Sequence, residues 1–351
     1  MKINNTKRYK PLKKRRRKNL NKKAKKLILF IFITILILLL LYMILNVIIF
    51  KKKISFKKII PNSHKAFSNN KTKVCLCTPA RKENRYIKEF IQHYENYGVD
   101  KIFLYDNNDI NGENFDEILK DYISNGFVEV LNWRGKYDCM YKIMNNCYKN
   151  NYKTYDWLIF YEVDEFIHLN NFTNVKDFLD EDKFKKCEII HLNLLCHTDN
   201  NQLYYENKPV AERFPEITPK DRLGGKRLET KCIIRGNLPF VNITNIHRGD
   251  EKLKNCNGYG HGNSYNYIFA RENDYTNYYI DHYYSKSTEE LIEKVLKGDN
   301  IMNRDGYNIH RIKKYFTQSI ITQEKLDLIE KRTGLKFPEL RNKTILAYLP
   351  V

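Results

Sequence analysis

No aspartate or glutamate occurs in the first 73 residues, and that gap decides how the charge of the whole chain is read. A formal net charge of +21 would suit a protein that binds nucleic acid. Yet residues 1–26 hold 14 Lys and Arg, and residues 51–73 hold 8 Lys. Taking those 22 from the 62 basic residues leaves 40 against 41 acidic ones in residues 74–351. A nucleic-acid protein carries its basic patch on the folded domain, and here that domain is almost neutral, so no nucleic-acid partner is expected. The eight cysteines (75, 77, 139, 147, 187, 196, 232 and 256) form no paired CxxC, which argues against zinc. Cys75 and Cys77 share one face of a strand and read as core. Eight cysteines can pair in 105 ways, and the sequence chooses none of them. Neither an internal repeat nor a Pro/Gly/Ser-rich linker divides residues 73–351, so one large core, with at most a small appendage, is expected.

What is present begins with a long apolar run. Leu27 to Phe50 gives 24 residues without a charge, about 36 Å as a helix and enough to cross a bilayer. No small-residue cleavage site follows it, which favours an uncleaved anchor over a signal peptide. Fourteen positive charges before the run against eight after it place the amino terminus on the cytoplasmic side. The expected layout is a basic tail (1–26), a single-pass type II anchor (27–50), a stem (51–73), a folded domain (74–322) and a C-terminal helical extension (323–351). Sequons at Asn70, Asn171, Asn242 and Asn342 fit a domain on the luminal side.

Within the domain, strand and helix patterns alternate. Lys73–Thr78 reads as a strand, Glu83–Tyr97 as a helix ended by Gly98, and Lys101–Tyr105 as a strand. A helix through Phe115 and Tyr122, a strand at Phe127–Leu131 and a helix at Lys136–Lys149 follow. This is the pattern of an α/β fold with a mostly parallel sheet. The next strand, within Tyr155–Phe166, is an apolar run that ends in Glu162, Asp164 and Glu165. Residues two apart in a strand point the same way, so Glu162 and Asp164 can converge on one cation. Oxygen ligands of this kind suit Mg²⁺ or Mn²⁺ better than zinc.

Several stretches in order carry a resemblance. They are Cys77-Thr-Pro-Ala-Arg-Lys-Glu-Asn84, Ile87-Lys-Glu-Phe-Ile91, Gly98-Val-Asp100 and Tyr105-Asp-Asn-Asn108. Asn145-Asn-Cys147, Asp164-Glu-Phe166, Lys231-Cys-Ile-Ile-Arg235, His247, His282-Tyr-Tyr-Ser-Lys-Ser287 and Lys294 continue the series. Together, over roughly residues 74–298, the chain resembles glycosyltransferase family 92 and its bacterial relatives. The resemblance implies a GT-A fold, here preceded by the one transmembrane helix that the apolar run provides, a nucleotide-sugar donor (a UDP-sugar first), a glycan acceptor, Mn²⁺ or Mg²⁺, and inversion at the anomeric carbon. The charge asymmetry across the apolar run, with a nucleotide-sugar supply that secretory organelles can import, favours a catalytic domain in the Golgi or endoplasmic reticulum lumen, with the cytoplasmic face as the alternative orientation. A catalytically inactive GT-A-fold anchor or glycan-binding protein is the alternative function.

The same resemblance distributes roles. Asp164 is the leading metal ligand, Glu162 the second, and His282 closes the metal shell from a distant loop. Glu162 stands where the family usually has Asp, and its extra methylene changes its reach toward a water-bridged or ribose contact. The nucleotide-sugar is expected across the ends of the first two strands, near Thr78, Arg81, Asn84 and Asp106, with Lys231 and Lys286 meeting phosphate oxygens. Arg81 serves equally well as a charge at a helix start. Inversion needs a general base for the acceptor hydroxyl, for which Asp199 is the candidate, with Asp221, Glu229 and Asp250 left open.

Overall fold

In a computed structural model of the chain, the described residues are Thr34, 72–136, 139–218, 229–245, 247–262, 276–296 and 307–341. The expected tail, the anchor apart from Thr34, and the stem up to residue 71 lie outside the described residues, as do Asn70, Asp221 and Asn342. Among the described residues no helix is long and apolar enough to cross a membrane.

The first half of the domain runs β1 (Val74–Ala80), α1 (Ile87–Asn96), β2 (Lys101–Asp106), α2 (Lys120–Ser124), β3 (Val128–Asn132), α3 (Met140–Asn151) and β4 (Trp157–Phe160). Every residue of β1 is buried, as expected of a strand covered on both faces. Its parity divides the core. Val74 and Leu76 pack with Ile87, Phe90, Ile91 and Tyr94 of α1, whereas Cys75 and Cys77 pack with Met140, Ile143 and Met144 of α3. Gly98 ends α1 in the left-handed region at φ 78°, a conformation open to glycine without steric cost. The expected alternation of strands and helices is therefore present up to β4, and β3-β2-β1-β4 form a parallel block.

Beyond β4 the sheet departs from expectation. The remaining strands are β5 (Glu165–Leu169), β6 (Ile189–Cys196), β7 (Thr230–Arg235), β8 (Asn255–Asn257) and β9 (Tyr278–His282). Across the sheet the order is β3-β2-β1-β4-β7-β6-β9-β5, with β8 beside β6. β7 is antiparallel to both of its neighbours, and β5 is antiparallel to β9. The expected mostly parallel sheet is thus corrected to a mixed one, because β7 returns between β4 and β6 with its direction reversed.

The acidic run is corrected as well. It is two strands rather than one: β4 stops at Phe160, and the Glu165 N–H donates to the Glu162 carbonyl (3.0 Å) in a tight turn. Glu162 and Asp164 therefore lie in a turn, and their convergence does not come from strand alternation.

Short helices α4 (Val175–Leu179) and α5 (Val210–Arg213) flank β6, and four more follow β9: α6 (Thr288–Leu296), α7 (Tyr307–Gln318), α8 (Gln323–Thr333) and α9 (Pro338–Arg341). Their apolar faces make a separate core of Leu291, Ile292, Ile312, Tyr315, Phe316, Leu326 and Ile329. Two disulfides cross-link the sheet region, Cys77–Cys147 and Cys187–Cys256, with Cα separations of 6.3 and 5.8 Å. They close loops of 70 and 69 residues, each worth about 4 kcal/mol in a chain-entropy account. Cys75, Cys139, Cys196 and Cys232 are buried and take part in neither disulfide.

Candidate active site

The site forms where the β4–β5 turn meets β7 and β9. Pairing of β5 with β9 sets Glu165 opposite His282, and pairing of β6 with β9 sets Cys196 opposite the same histidine. The last β4–β7 pair is Ile159 with Ile233, so Lys231, two residues further along β7, lies beside the strand end from which the acidic turn leaves. A backbone bond from Tyr283 N–H to the Asp164 carbonyl (3.0 Å) ties the turn to the end of β9.

Three carboxylates and three lysines interlock there. Lys231 is fully buried and pairs with Glu162 Oε2 at 2.5 Å and Glu165 Oε1 at 3.0 Å. Lys294 Nζ donates to Asp164 Oδ2 at 2.7 Å, and Lys286 Nζ stands 4.0 Å from the same oxygen. His282 Nε2 faces Asp164 Oδ1 at 3.8 Å and Glu165 Oε1 at 4.0 Å. Glu165 Oε1 is buried and makes no hydrogen bond of proper geometry, its 3.0 Å approach to Lys231 being an ion pair only.

The electrostatics follow from this packing. Burial pushes the Glu165 carboxyl up to about 8, against the pull of Lys231. Burial would raise Asp164 too, but Lys294, Lys286 and His282 hold it well below the usual carboxylate range. Glu162 is likewise held low by Lys231 against its own burial. Burial lowers His282 to about 4, against Asp164, which leaves a neutral imidazole with a lone pair for a ligand. Burial opposes the charge on Lys231 and Lys294, yet their carboxylate partners raise both above the ordinary lysine value.

Asp164, Glu165 and His282 each place one ligand atom within 4.8 Å of the others. Two carboxylate oxygens and one imidazole nitrogen, one of those oxygens without a hydrogen bond, fit a divalent cation such as Mn²⁺ or Mg²⁺. Of the expected ligands, Asp164 and His282 belong to this group. Glu162 is not among the three whose ligand atoms lie within 4.8 Å of one another, and Glu165 stands in its place. The sequence offered Glu165 as one of three acids, and only the β5–β9 register singles it out.

A cleft of about 380 Å³ opens beside the group, walled by Lys82, Tyr86, Glu113, Lys286, Glu290 and Lys294 among others. Lys82 and Lys286 hold φ of 54° and 51°, in the left-handed region that residues with side chains avoid. Such conformations persist where the surroundings over-determine them, and they cluster at ligand sites. Glu290 is fixed in the wall by Arg213 and by Tyr86 Oη, which donates to it at 2.6 Å.

The other expected residues do not line this cleft. Asp106 accepts from Arg134 Nη1 (2.6 Å) and from the Asn108 backbone and side chain. Arg134 also donates to the carbonyls of Asp109, Ile110, Gly112 and Glu113, so this pair shapes the loop after β2. Arg81 binds Asp109 (2.8 Å) on the same loop, and Asn84 binds the Asn114 carbonyl (3.1 Å). Thr78 is buried within β1. Lys231, expected at phosphate, instead neutralises the acidic turn. Asp199 is 1 % exposed, with Oδ2 taken by Lys325 and Tyr315 Oη (both 2.5 Å) and Oδ1 by the Asn201 N–H. The structure does not bring Asp199 to the cleft; it fastens the loop after β6 to helices α7 and α8. Neither Lys294 nor Arg134 was given a role from the sequence.

Against known proteins, the family model described as Glycosyltransferase family 92 matches residues 70–320. A glycosyltransferase family 92 protein of Ricinus communis is 26% identical over 133 residues, 36% of this chain and 22% of that protein. One from Oryza sativa subsp. japonica is 26% identical over 147 residues, 40% of this chain and 23% of that protein. The alignments thus span under a quarter of the length of these curated relatives. Among solved structures, residues 1–349 of S. aureus TarS in complex with UDP-GlcNAc align at 12% identity and a TM-score of 0.35, covering 75% of this chain and 80% of that one.

Proposed function

The chain belongs to glycosyltransferase family 92, and from that premise we propose that it moves a sugar from a nucleotide-sugar donor, a UDP-sugar first, to a glycan acceptor. The domain is read as a GT-A fold, and the reaction as a single inverting displacement dependent on a divalent cation. The acceptor hydroxyl oxygen attacks the anomeric carbon, its proton passes to a base, and the carbon–oxygen bond to the nucleoside diphosphate breaks with the electron pair leaving on phosphate. The observation that carries the reading is the Asp164–Glu165–His282 group set beside the lysine-walled cleft.

Asp164, Glu165 and His282 would hold Mn²⁺ or Mg²⁺, which supplies Lewis-acid stabilisation of the departing diphosphate. The chain's own part is electrostatic. Lys286 and Lys294 line the cleft and aim positive charge at the place where phosphate charge develops. Tyr86 and Glu113, the latter on the loop that Arg134 clamps, form part of the cleft wall. The base is proposed among cleft carboxylates with more freedom than Asp199, and Glu113 is the first to replace. Purified protein with a panel of nucleotide sugars is expected to release nucleoside diphosphate only when Mn²⁺ or Mg²⁺ is supplied. Metal-independent turnover would remove the cation from the mechanism. A catalytically inactive glycan binder is favoured by one observation, the occupation of Glu162 by Lys231; absence of any release across the panel would select it.

We also propose the type II orientation, with the domain in the Golgi or endoplasmic reticulum lumen. Two disulfides suit an oxidising compartment, and Asn171 and Asn242 are both exposed in loops. In sealed vesicles the domain should resist added protease, and thiol alkylation under denaturing, non-reducing conditions should leave four cysteines blocked. Digestion without detergent would reverse the orientation.

A further inference from the structure

The candidate site uses one end of the sheet, and the other end carries features of its own. There the amino-terminal ends of β1, β4 and β6 meet the carboxyl end of β7: Val74 lies beside Trp157, Trp157 beside Arg235 and Ile189 beside Ile234. The loop that leaves β7, residues 236–244, is fixed at both of its ends. Gly236 N–H donates to the Asp156 carbonyl at 2.7 Å, and Asn237 N–H to the Tyr152 carbonyl at 2.6 Å. The Asn145 side chain holds both the N–H and the carbonyl of Ile243, at 2.9 and 2.8 Å. Between these ties Leu238 and Val241 pack on the core, while Phe240 is 99% exposed. Phe240 also holds φ 63°, a conformation rare for a bulky side chain. Single apolar residues on a surface need no explanation. A fixed loop that bears strain at the residue displaying a bare aromatic ring does.

Exposed lysines surround that ring's end of the sheet. Lys149 and Lys153 flank Tyr152 after α3, Lys186 precedes the carbonyl of Cys187 that accepts from Arg235, and Lys254 lies beside Glu188. Two acids there, Asp156 and Glu188, are engaged by the backbone N–H groups of Lys73 and Lys254, each at 2.8 Å. The bond to Lys73 also marks where the chain enters the domain. Only residues 51–71 separate that point from the apolar run, a tether of at most about 75 Å.

We propose that this end of the sheet rests on a phospholipid bilayer, with Phe240 inserted at the boundary of headgroups and acyl chains and the lysines on headgroup phosphates. An aromatic ring set among lysines is the composition that lies in such an interface, and lysine stems follow apolar surface while their ammonium groups stay with the phosphates. The bilayer is the one that residues 27–50 are proposed to span, so the inference rests on the proposed anchor and adds an orientation to it. β1 runs from this end to Ala80, two residues before Lys82 in the cleft wall, and its seven residues measure about 23 Å. The cleft is thereby held at the end away from lipid, facing acceptors presented off the membrane surface.

The test places the full chain in phosphatidylcholine vesicles and reads tryptophan fluorescence with ordinary or brominated acyl chains. The parent contains two tryptophans, Trp133 and Trp157, and its signal is subtracted. In Phe240→Trp the added emission should move to shorter wavelength and fall at least about twofold with brominated lipid, as fits a ring about 5–10 Å into the interface. Ile110→Trp is the control, since Ile110 is 74% exposed but follows the far end of β2; its emission should be unchanged by bromine. Absence of quenching in Phe240→Trp, or equal quenching in both variants, overturns the proposal. A shorter-wavelength emission that bromine leaves untouched means that protein covers the ring, and overturns it as well. Asn242 is exposed two residues from Phe240, so a glycan found there in protein taken from a secretory membrane would hold the loop off the bilayer and has the same consequence. If the chain does not float with vesicles at all, the anchor reading itself falls, and this inference with it.

Discussion

Asp164→Asn is expected to lower sugar transfer by roughly 10²–10³-fold, the scale on which removal of one electrostatic stabiliser slows enzymes, while the protein stays folded. The amide keeps the shape of the side chain, and the Asp164 carbonyl still accepts from Tyr283 N–H. What disappears is the one charge that Lys294, Lys286 and His282 all address. Kinetics at saturating donor should show the loss in kcat, and calorimetry should show Mn²⁺ binding weakened in the same protein. Thermal unfolding within a few degrees of the parent would confirm that the change is local. Full activity in this variant would remove Asp164 from the metal site.

Lys231→Met is expected to have the largest effect on stability. Its ammonium is wholly buried between Glu162 and Glu165, and the methionine would leave those carboxylates facing each other without a cation. Breaking a buried pair by deleting one partner costs about 3–5 kcal/mol, which in a domain of this size lowers Tm by roughly 10 °C. The double variant Lys231→Met with Glu162→Gln should recover a good part of that loss, since Glu162, held low by Lys231, is the carboxylate left charged and unpaired, whereas burial already pushes Glu165 up to about 8. Thermal or urea unfolding measures both. A single variant within about 1 kcal/mol of the parent would show that water reaches the group and that the lysine matters little to folding.

Much of the first half of the fold is legible because burial there is local and periodic. β1, β2 and the apolar face of α1 are continuous or helically spaced apolar stretches, and Gly98 marks its helix end by composition alone. The second half is not legible in the same way. Nothing in Tyr161–Asp164, which has no glycine and no proline, announces the turn that splits the acidic run into β4 and β5. Glu165 becomes a candidate ligand only through its place opposite His282 on β9, and a long-range register of that kind leaves no periodic trace. The same holds for β7, whose insertion between β4 and β6 makes the sheet mixed. Asp199 shows the converse. A carboxylate at a strand end is a fair candidate base until α7 and α8 deliver Tyr315 and Lys325 to it. Lysines are hardest of all, since their sequence positions do not say whether they meet solvent, phosphate or a buried acid.

The position of β7 also orders events during synthesis. The parallel block β3-β2-β1-β4 can pair as soon as residue 160 has emerged, but β4 then presents an unpaired edge until Thr230–Arg235 arrives. His282 comes later still, on β9, and β5 has no partner before it. At 5–20 residues per second, the nascent chain carries that open edge for roughly 4–15 s. The edge strand is Trp157-Leu-Ile-Phe160, apolar throughout and without a charge or proline to discourage pairing with another chain. Yield of folded protein should therefore depend on how crowded the nascent chains are, and slower initiation or a chaperone that shields β4 should improve it more than any stabilising change in the finished domain.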